Sequence, residues 1–273
     1  MESHVLDTRL GPIACRSSGQ GSPLVFFAGA LANGDLWRDV VAALEDRYRC
    51  ITIDLPLGAH SQALNAGADR SAPSLARLLL DCLEALELED ATVVANDTAG
   101  GLLLLALASE HPALAHIGRL VLTNCDSYDQ FPPDALKRAA ALCRSHPRIA
   151  RAGVQLQLRF PRKLIASVSA SGNVPKSFFA QRDPRIVDDL VVALGGFHPQ
   201  LLLDAAPALR RFDRPVLLVW GDACEFFPVA HAQRLAAEFP DATLVTVPGA
   251  KTWLPIDAPT ALVDAVLDAA LMK

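Results

Sequence analysis

The chain has 273 residues, 51% hydrophobic and 20% charged, enough apolar material for a large core and too much for a disordered tail. With 25 Lys and Arg against 30 Asp and Glu, the formal charge of −5 lacks the basic excess that binding a polyanion needs, so no nucleic acid partner is expected. The six cysteines form no Cys-x-x-Cys pair, which predicts no metal and no disulfide framework and fits a reducing cytoplasm.

Taken in order, the chain opens with a predicted hairpin at 4–9 and 12–17, turned through Gly11-Pro12. Strands are predicted at 23–29, 49–55, 91–96, 119–124, 215–220 and 242–247, each almost uninterruptedly apolar, as in strands covered on both faces. Helical patterns at 35–46, 74–86, 98–111, 229–239 and 259–271 alternate with them. The fold class read from this rhythm is α/β, a doubly wound and mostly parallel sheet. The rhythm stops after Asp126. Residues 127–206 carry helical text punctuated by prolines and predict a helical cap insertion, leaving 1–126 and 207–273 as the core. The six arginines Arg138, Arg144, Arg148, Arg151, Arg159 and Arg162 make the first part of that insertion basic, a feature that attracts acidic groups or simply solvates a helix face. The first twelve residues lack an apolar signal core. The longest greasy run, 102–108, is far shorter than the roughly 20 residues of a membrane span, so no membrane partner is expected.

In an open parallel sheet, ligands bind at the carboxyl ends of the strands. The loops there are 28–34, 56–60, 97–101, 125–129, 222–225 and 250–253, which makes Leu31, Thr252 and Trp253 candidate substrate contacts. The sharpest signal is Val93-Val94-Ala95-Asn96-Asp97-Thr98-Ala99-Gly100-Gly101, a strand entering a helix through a tight turn. Small residues two places either side of Asp97 are what a strained turn with an exposed central side chain requires. The plainer role for Asp97 is a helix N-cap.

This stretch resembles the nucleophile elbow of the α/β-hydrolase superfamily, with aspartate where serine usually stands. The resemblance extends through Ala28-Gly29, Asp54-Leu55-Pro56, Trp220-Gly221-Asp222 and Pro248-Gly249-Ala250. It implies an α/β-hydrolase fold in which Asp97 is the nucleophile and the backbone amides of Ala30 and Thr98 form an oxyanion hole. It also implies a catalytic His and an acid that are missing from their usual places, where Thr252 and Cys224 stand. Asp126 or Asp129 occupies an alternative acid position, and His60 is the imidazole best placed in sequence to replace the missing base. His198 and Lys251 are weaker substitutes, better read as a helix start and a surface cation. Without such a base, an ester formed on Asp97 is not released. Two named reactions of the superfamily are disfavoured. A dehalogenase needs Trp or Asn gripping halide beside the nucleophile, where Thr98 and Ala30 stand, and an epoxide hydrolase needs two cap tyrosines, whereas Tyr48 and Tyr128 are the only two.

The expected activity is hydrolase-like, on a small organic molecule, with Asp97 as nucleophile or general acid/base. Two alternatives stay open: a lyase, isomerase or cyclase using Asp97 as a proton shuttle, and a catalytically silent binder. No cofactor is expected. A homodimer is compatible with the sequence.

Overall fold

The computed structural model describes residues 2–181 and 183–271. It is an eight-stranded sheet flanked on both faces by helices. The chain begins with the hairpin of β1 (Glu2–Thr8) and β2 (Gly11–Ser18), followed by β3 (Pro23–Phe27), α1 (Arg38–Leu44), β4 (Arg49–Ile53) and α2 (Ala72–Ala85). β5 (Ala91–Asp97) runs without a break into α3 (Thr98–Leu107), and β6 (Ile117–Cys125) follows. Five helices come next: α4 (Lys137–Ser145), α5 (Pro147–Arg159), α6 (Arg162–Val168), α7 (Pro184–Gly196) and α8 (Pro199–Leu209). The chain closes with β7 (Val216–Gly221), α9 (Val229–Glu238), β8 (Ala242–Val247), α10 (Leu254–Asp257) and α11 (Pro259–Leu271).

The strand order is β1-β2-β4-β3-β5-β6-β7-β8. β1 and β2 pair antiparallel, as do β2 and β4, and the other neighbours are parallel. The apolar strands split their side chains by alternation between two cores. Val25, Phe27, Val93, Ala95, Leu120 and Leu122 face the core built with α2, α3, α8 and α9. Leu24, Phe26, Val94 and Val121 face the one built with α1, α10 and α11. Coverage falls away at the two edges, where β1 exposes Glu2 to Val5 and β8, which pairs only with β7, exposes Thr243 and Thr246.

Element ends depart from the sequence reading where local chemistry intervenes. The helix expected over 98–111 stops at Leu107, because His111 precedes Pro112 and takes the extended conformation a proline imposes on its neighbour. The helix expected at 35–46 opens as a 3-10 turn, Gly34–Trp37, capped by the Asn33 side chain. Helix α8 runs past the boundary expected at 206 and packs on α3 and α9, so it belongs to the layer under the sheet. α4 and α5 pack on each other and on α7.

Candidate active site

The turn between β5 and α3 places the central group. Asp97 sits at φ 56°, ψ −132°, a conformation side chains other than glycine rarely adopt and which costs on the order of 1–3 kcal/mol. Its carboxylate makes no helix-capping bond. Instead Oδ2 accepts a hydrogen bond from the Ala30 amide at 3.1 Å, across from the β3 loop. Gly29 makes room for that approach. A Cβ there would lie 2.6 Å from both Cβ and Oδ2 of Asp97, well inside contact distance. The N-cap role is therefore not the one Asp97 performs.

Asp97 lines a cavity of about 340 Å³, enough for a small organic ligand. Ala30, Leu31, Thr98, Asp126, Thr252 and Trp253 line it too, so seven of the eight residues singled out in the sequence meet there. The remaining wall comes from the helical excursion, including Cys143, Val154, Leu164, Leu190 and Leu194. The result is an apolar chamber with two carboxyl groups in it.

Those two carboxyls are not equivalent. Burial raises Asp97 from its ordinary 3.8 to about 7, opposed by the Thr98 and Ala30 amides, which favour the charged form. Asp126 is raised well above the ordinary range by burial first and the nearby Asp97 charge second, with only the Thr98 side chain opposing. Its Oδ1 is buried without a hydrogen-bond partner. Two like charges in one dry chamber cannot both form cheaply, so the pair favours holding one proton between them, with burial and the neighbouring charge both pushing Asp126 toward its protonated form. Gly101 lets Asp126 approach α3, since a Cβ there would fall 2.6 Å from Asp126 Cβ. Asp129, the other acid considered for this place, is exposed and does not line the cavity.

The eighth residue, His60, is elsewhere. It is buried, but its Nε2 lies 3.0 Å from Asp189 Oδ2 and its Nδ1 accepts from the Gly58 amide at 3.3 Å. Asp189, on α7, also accepts from Arg70 Nε and from the Leu64 amide. Both imidazole nitrogens are thus occupied, Nε2 tying the loop after β4 to α7 and Nδ1 bonding within that loop, and His60 does not line the cavity. Among the described residues no histidine lines it. His198 is exposed at the start of α8, and Lys251 donates to the Ala166 carbonyl at 2.6 Å. Thr252, in the place where the resemblance puts an imidazole, has its Oγ1 3.1 Å from Cys224 Sγ.

Asn96, not singled out in the sequence, is fully buried beside Asp97. Its Nδ2 donates to the Thr123 carbonyl and hydroxyl and, at 2.7 Å, to the Thr252 carbonyl, stitching three strand ends around the site. A buried amide next to the strained residue was its only signal. Asp257 is a second omission. It accepts from the Ala170, Ser171 and Lys251 amides and the Ser169 hydroxyl, pinning the end of α6 to the loop after β8. One group among the described residues has metal-ligand reach, Asp81, Glu84 and His111, but Asp81 is already paired with Arg9 at 2.8 Å.

The alpha/beta hydrolase fold family model matches residues 22–259. Haloalkane dehalogenase 2 of Mycobacterium tuberculosis (strain ATCC 25618 / H37Rv) is 28% identical over 279 residues, covering 98% of this chain and 94% of that protein. Among solved structures, an alpha/beta hydrolase fold protein from Burkholderia ambifaria superposes with a TM-score of 0.79 at 23% identity, covering 97% of each chain. The epoxide hydrolase CorEH superposes with a TM-score of 0.81 at 16% identity, covering 100% of this chain and 99% of that one. At those identities the structural likenesses speak for the fold.

Proposed function

Since the chain belongs to the alpha/beta hydrolase fold family, we propose that it is an enzyme acting on a small, largely apolar organic molecule through proton transfer at Asp97. In this reading Asp97 is the general base, protonated Asp126 is the general acid, and helices α4 to α7 act as a cap over them. What supports it is a pair of buried carboxyls in one apolar chamber that no imidazole lines, Asp97 raised by burial to about 7 and Asp126 raised well above the ordinary range. A base near neutrality takes a proton from an acidic C–H or O–H of the ligand, and the neighbouring acid returns one to a different atom. That is isomerase, lyase or cyclase chemistry, and it needs no activated water. The test is mass spectrometry of a panel of apolar ketones, esters, haloalkanes and epoxides incubated with the protein in deuterated water. Deuterium uptake by the ligand or product formation should disappear in Asp97→Asn, with no ligand-derived mass on the protein at any stage.

A second reading has its own support. The Ala30 amide holds Oδ2 of Asp97, which leaves Oδ1 for attack on carbon, and the dehalogenase relative covers 94% of its own length. Here Asp97 is the nucleophile, and the Ala30 and Thr98 amides steady its second oxygen as an oxyanion hole does. A persistent ester on Asp97, visible as a mass increase after exposure to a haloalkane, would favour it over proton transfer. Slow release would follow from the lack of a water-activating imidazole.

A further inference from the structure

Residues 135–182 contain ten Lys and Arg and not one Asp or Glu, while the other 15 cations share the chain with all 30 acids. The charge of −5 is therefore the sum of a strongly basic roof and a strongly acidic body. The same roof carries the largest exposed apolar side chains. On α5 and its C-terminal end, Ile149, Leu156 and Phe160 are 59%, 61% and 67% exposed. Spaced by seven and four, they lie on one helix face. Arg148, Arg159 and Arg162 flank them, exposed and without an ion pair among the described residues.

This stripe runs into the chamber. Gly153 and Gln157, one step round the helix from the exposed apolar residues, are themselves exposed and line the cavity. Leu136 and Leu142, 37% and 39% exposed, also line it. The mouth of the chamber thus opens along α5, with an apolar rim that continues onto the outer surface. Single exposed leucines need no explanation, but a one-sided apolar helix with cations at its margins and an apolar cavity at its edge does.

We infer that α5 and this rim dock on an anionic lipid surface, so that an apolar, membrane-dissolved substrate passes from bilayer to chamber without crossing water. Apolar side chains enter the headgroup boundary and the flanking cations meet lipid phosphates. The acidic body is repelled by the same surface, which fixes the orientation with the mouth downward. The association is peripheral and departs from the expectation of no membrane partner, which rested on the lack of a spanning segment. That the passenger then reacts rests on the reading of Asp97 given above. The docking itself does not.

The experiment is co-flotation of the whole chain with large unilamellar vesicles, either phosphatidylcholine alone or with about one-third phosphatidylglycerol, at about 0.05 M and about 0.5 M salt. Binding is expected on the anionic vesicles at low salt and should fall at least tenfold at high salt and on neutral vesicles. A variant with Ile149→Ser, Leu156→Ser and Phe160→Ser should bind at least a hundredfold more weakly, on the order of a few-fold to tenfold per side chain. Because these residues are exposed, its circular dichroism should match that of the parent. Asp97→Asn should float like the parent, so failure of the proton-transfer reading leaves this result untouched. Absence of flotation on anionic vesicles overturns the proposal, as does flotation that the triple substitution does not weaken. A dimer in sedimentation velocity that the triple substitution dissolves, without flotation, would assign the face to a second copy instead and equally overturn it.

Discussion

Replacing Asp97 with Asn tests the electrostatics of the chamber directly. A carboxyl whose folded pKa is about 7 against an ordinary 3.8 binds more protons folded than unfolded between those two values. Folding stability from this group is full below about pH 4, falls as pH rises, and levels off above about pH 7. At about 1.4 kcal/mol per pH unit, the ionised carboxylate costs the folded state about 4 kcal/mol at pH 8. Asn is nearly isosteric and its carbonyl can still accept from the Ala30 amide, while its NH₂ group lacks an assured partner, a loss of about 1 kcal/mol. The net gain at pH 8 is about 3 kcal/mol, or a midpoint rise of roughly 6–12 °C for a chain of this size. At pH 4 the gain should vanish or turn slightly negative. Urea titrations of both proteins at about pH 4.5, 6 and 8, read by circular dichroism, give the difference curve, which carries Asp97 together with its coupling to Asp126. Equal stability of the two proteins at every pH would mean the Asp97 carboxylate is well solvated, and the argument for its raised pKa would fail.

Turnover by the parent should increase through about pH 7 as Asp97 ionises, and the lower inflection of the pH profile should stay near the parent's in Asp126→Asn, which replaces one neutral group by another. That variant should keep parental stability at neutral pH, since Asn resembles the protonated Asp126, yet lose about 10²-fold or more in kcat if the acid donates a proton. Gly29→Ala should keep the fold but drive its methyl into the Asp97 carboxylate, with a loss of activity of about 10²-fold. Unchanged kinetics would refute the tight approach of β3 to that side chain. Asp189→Ala removes the acceptor shared by His60, Arg70 and Leu64 and should cost about 2–3 kcal/mol in chemical denaturation, because it leaves a buried imidazole, a buried amide and a partly buried guanidinium without their acceptor.

Asp97 was legible because its turn is a local affair: small residues at fixed offsets announce a strained central position, and the structure puts it at positive φ. Asp126, too, was readable as the first residue beyond a strand whose end must face the crevice. His60 was not, although its position after β4 follows the same rule. Its partner Asp189 is 129 residues further on, and nothing in Gly58-Ala59-His60 reveals that a distant helix has claimed Nε2 while the Gly58 amide occupies Nδ1. Asp257 was invisible, and Asn96 readable only from its place beside Asp97, for the related reason that their bonds join segments far apart in the chain. The wall of the chamber was the least readable part. Its side chains come from α4 to α7, whose relative rotation is decided by packing between helices rather than by periodicity within any one of them.

The reacting groups and their ceiling have different mechanical footing. Asp97 and Asp126 belong to strand ends, and Asn96 welds those ends together, so the floor shares the stiffness of the sheet. α4 and α5 rest on α7, which is itself riveted through Asp189, and α5 and its C-terminal end turn Ile149, Leu156 and Phe160 outward. Volume can be added to or removed from Leu142, Val154 or Gln157 without disturbing the spacing of the carboxyls below. One fixed pair of proton-handling groups could therefore be retargeted from one molecular shape to another by reshaping the overhang alone.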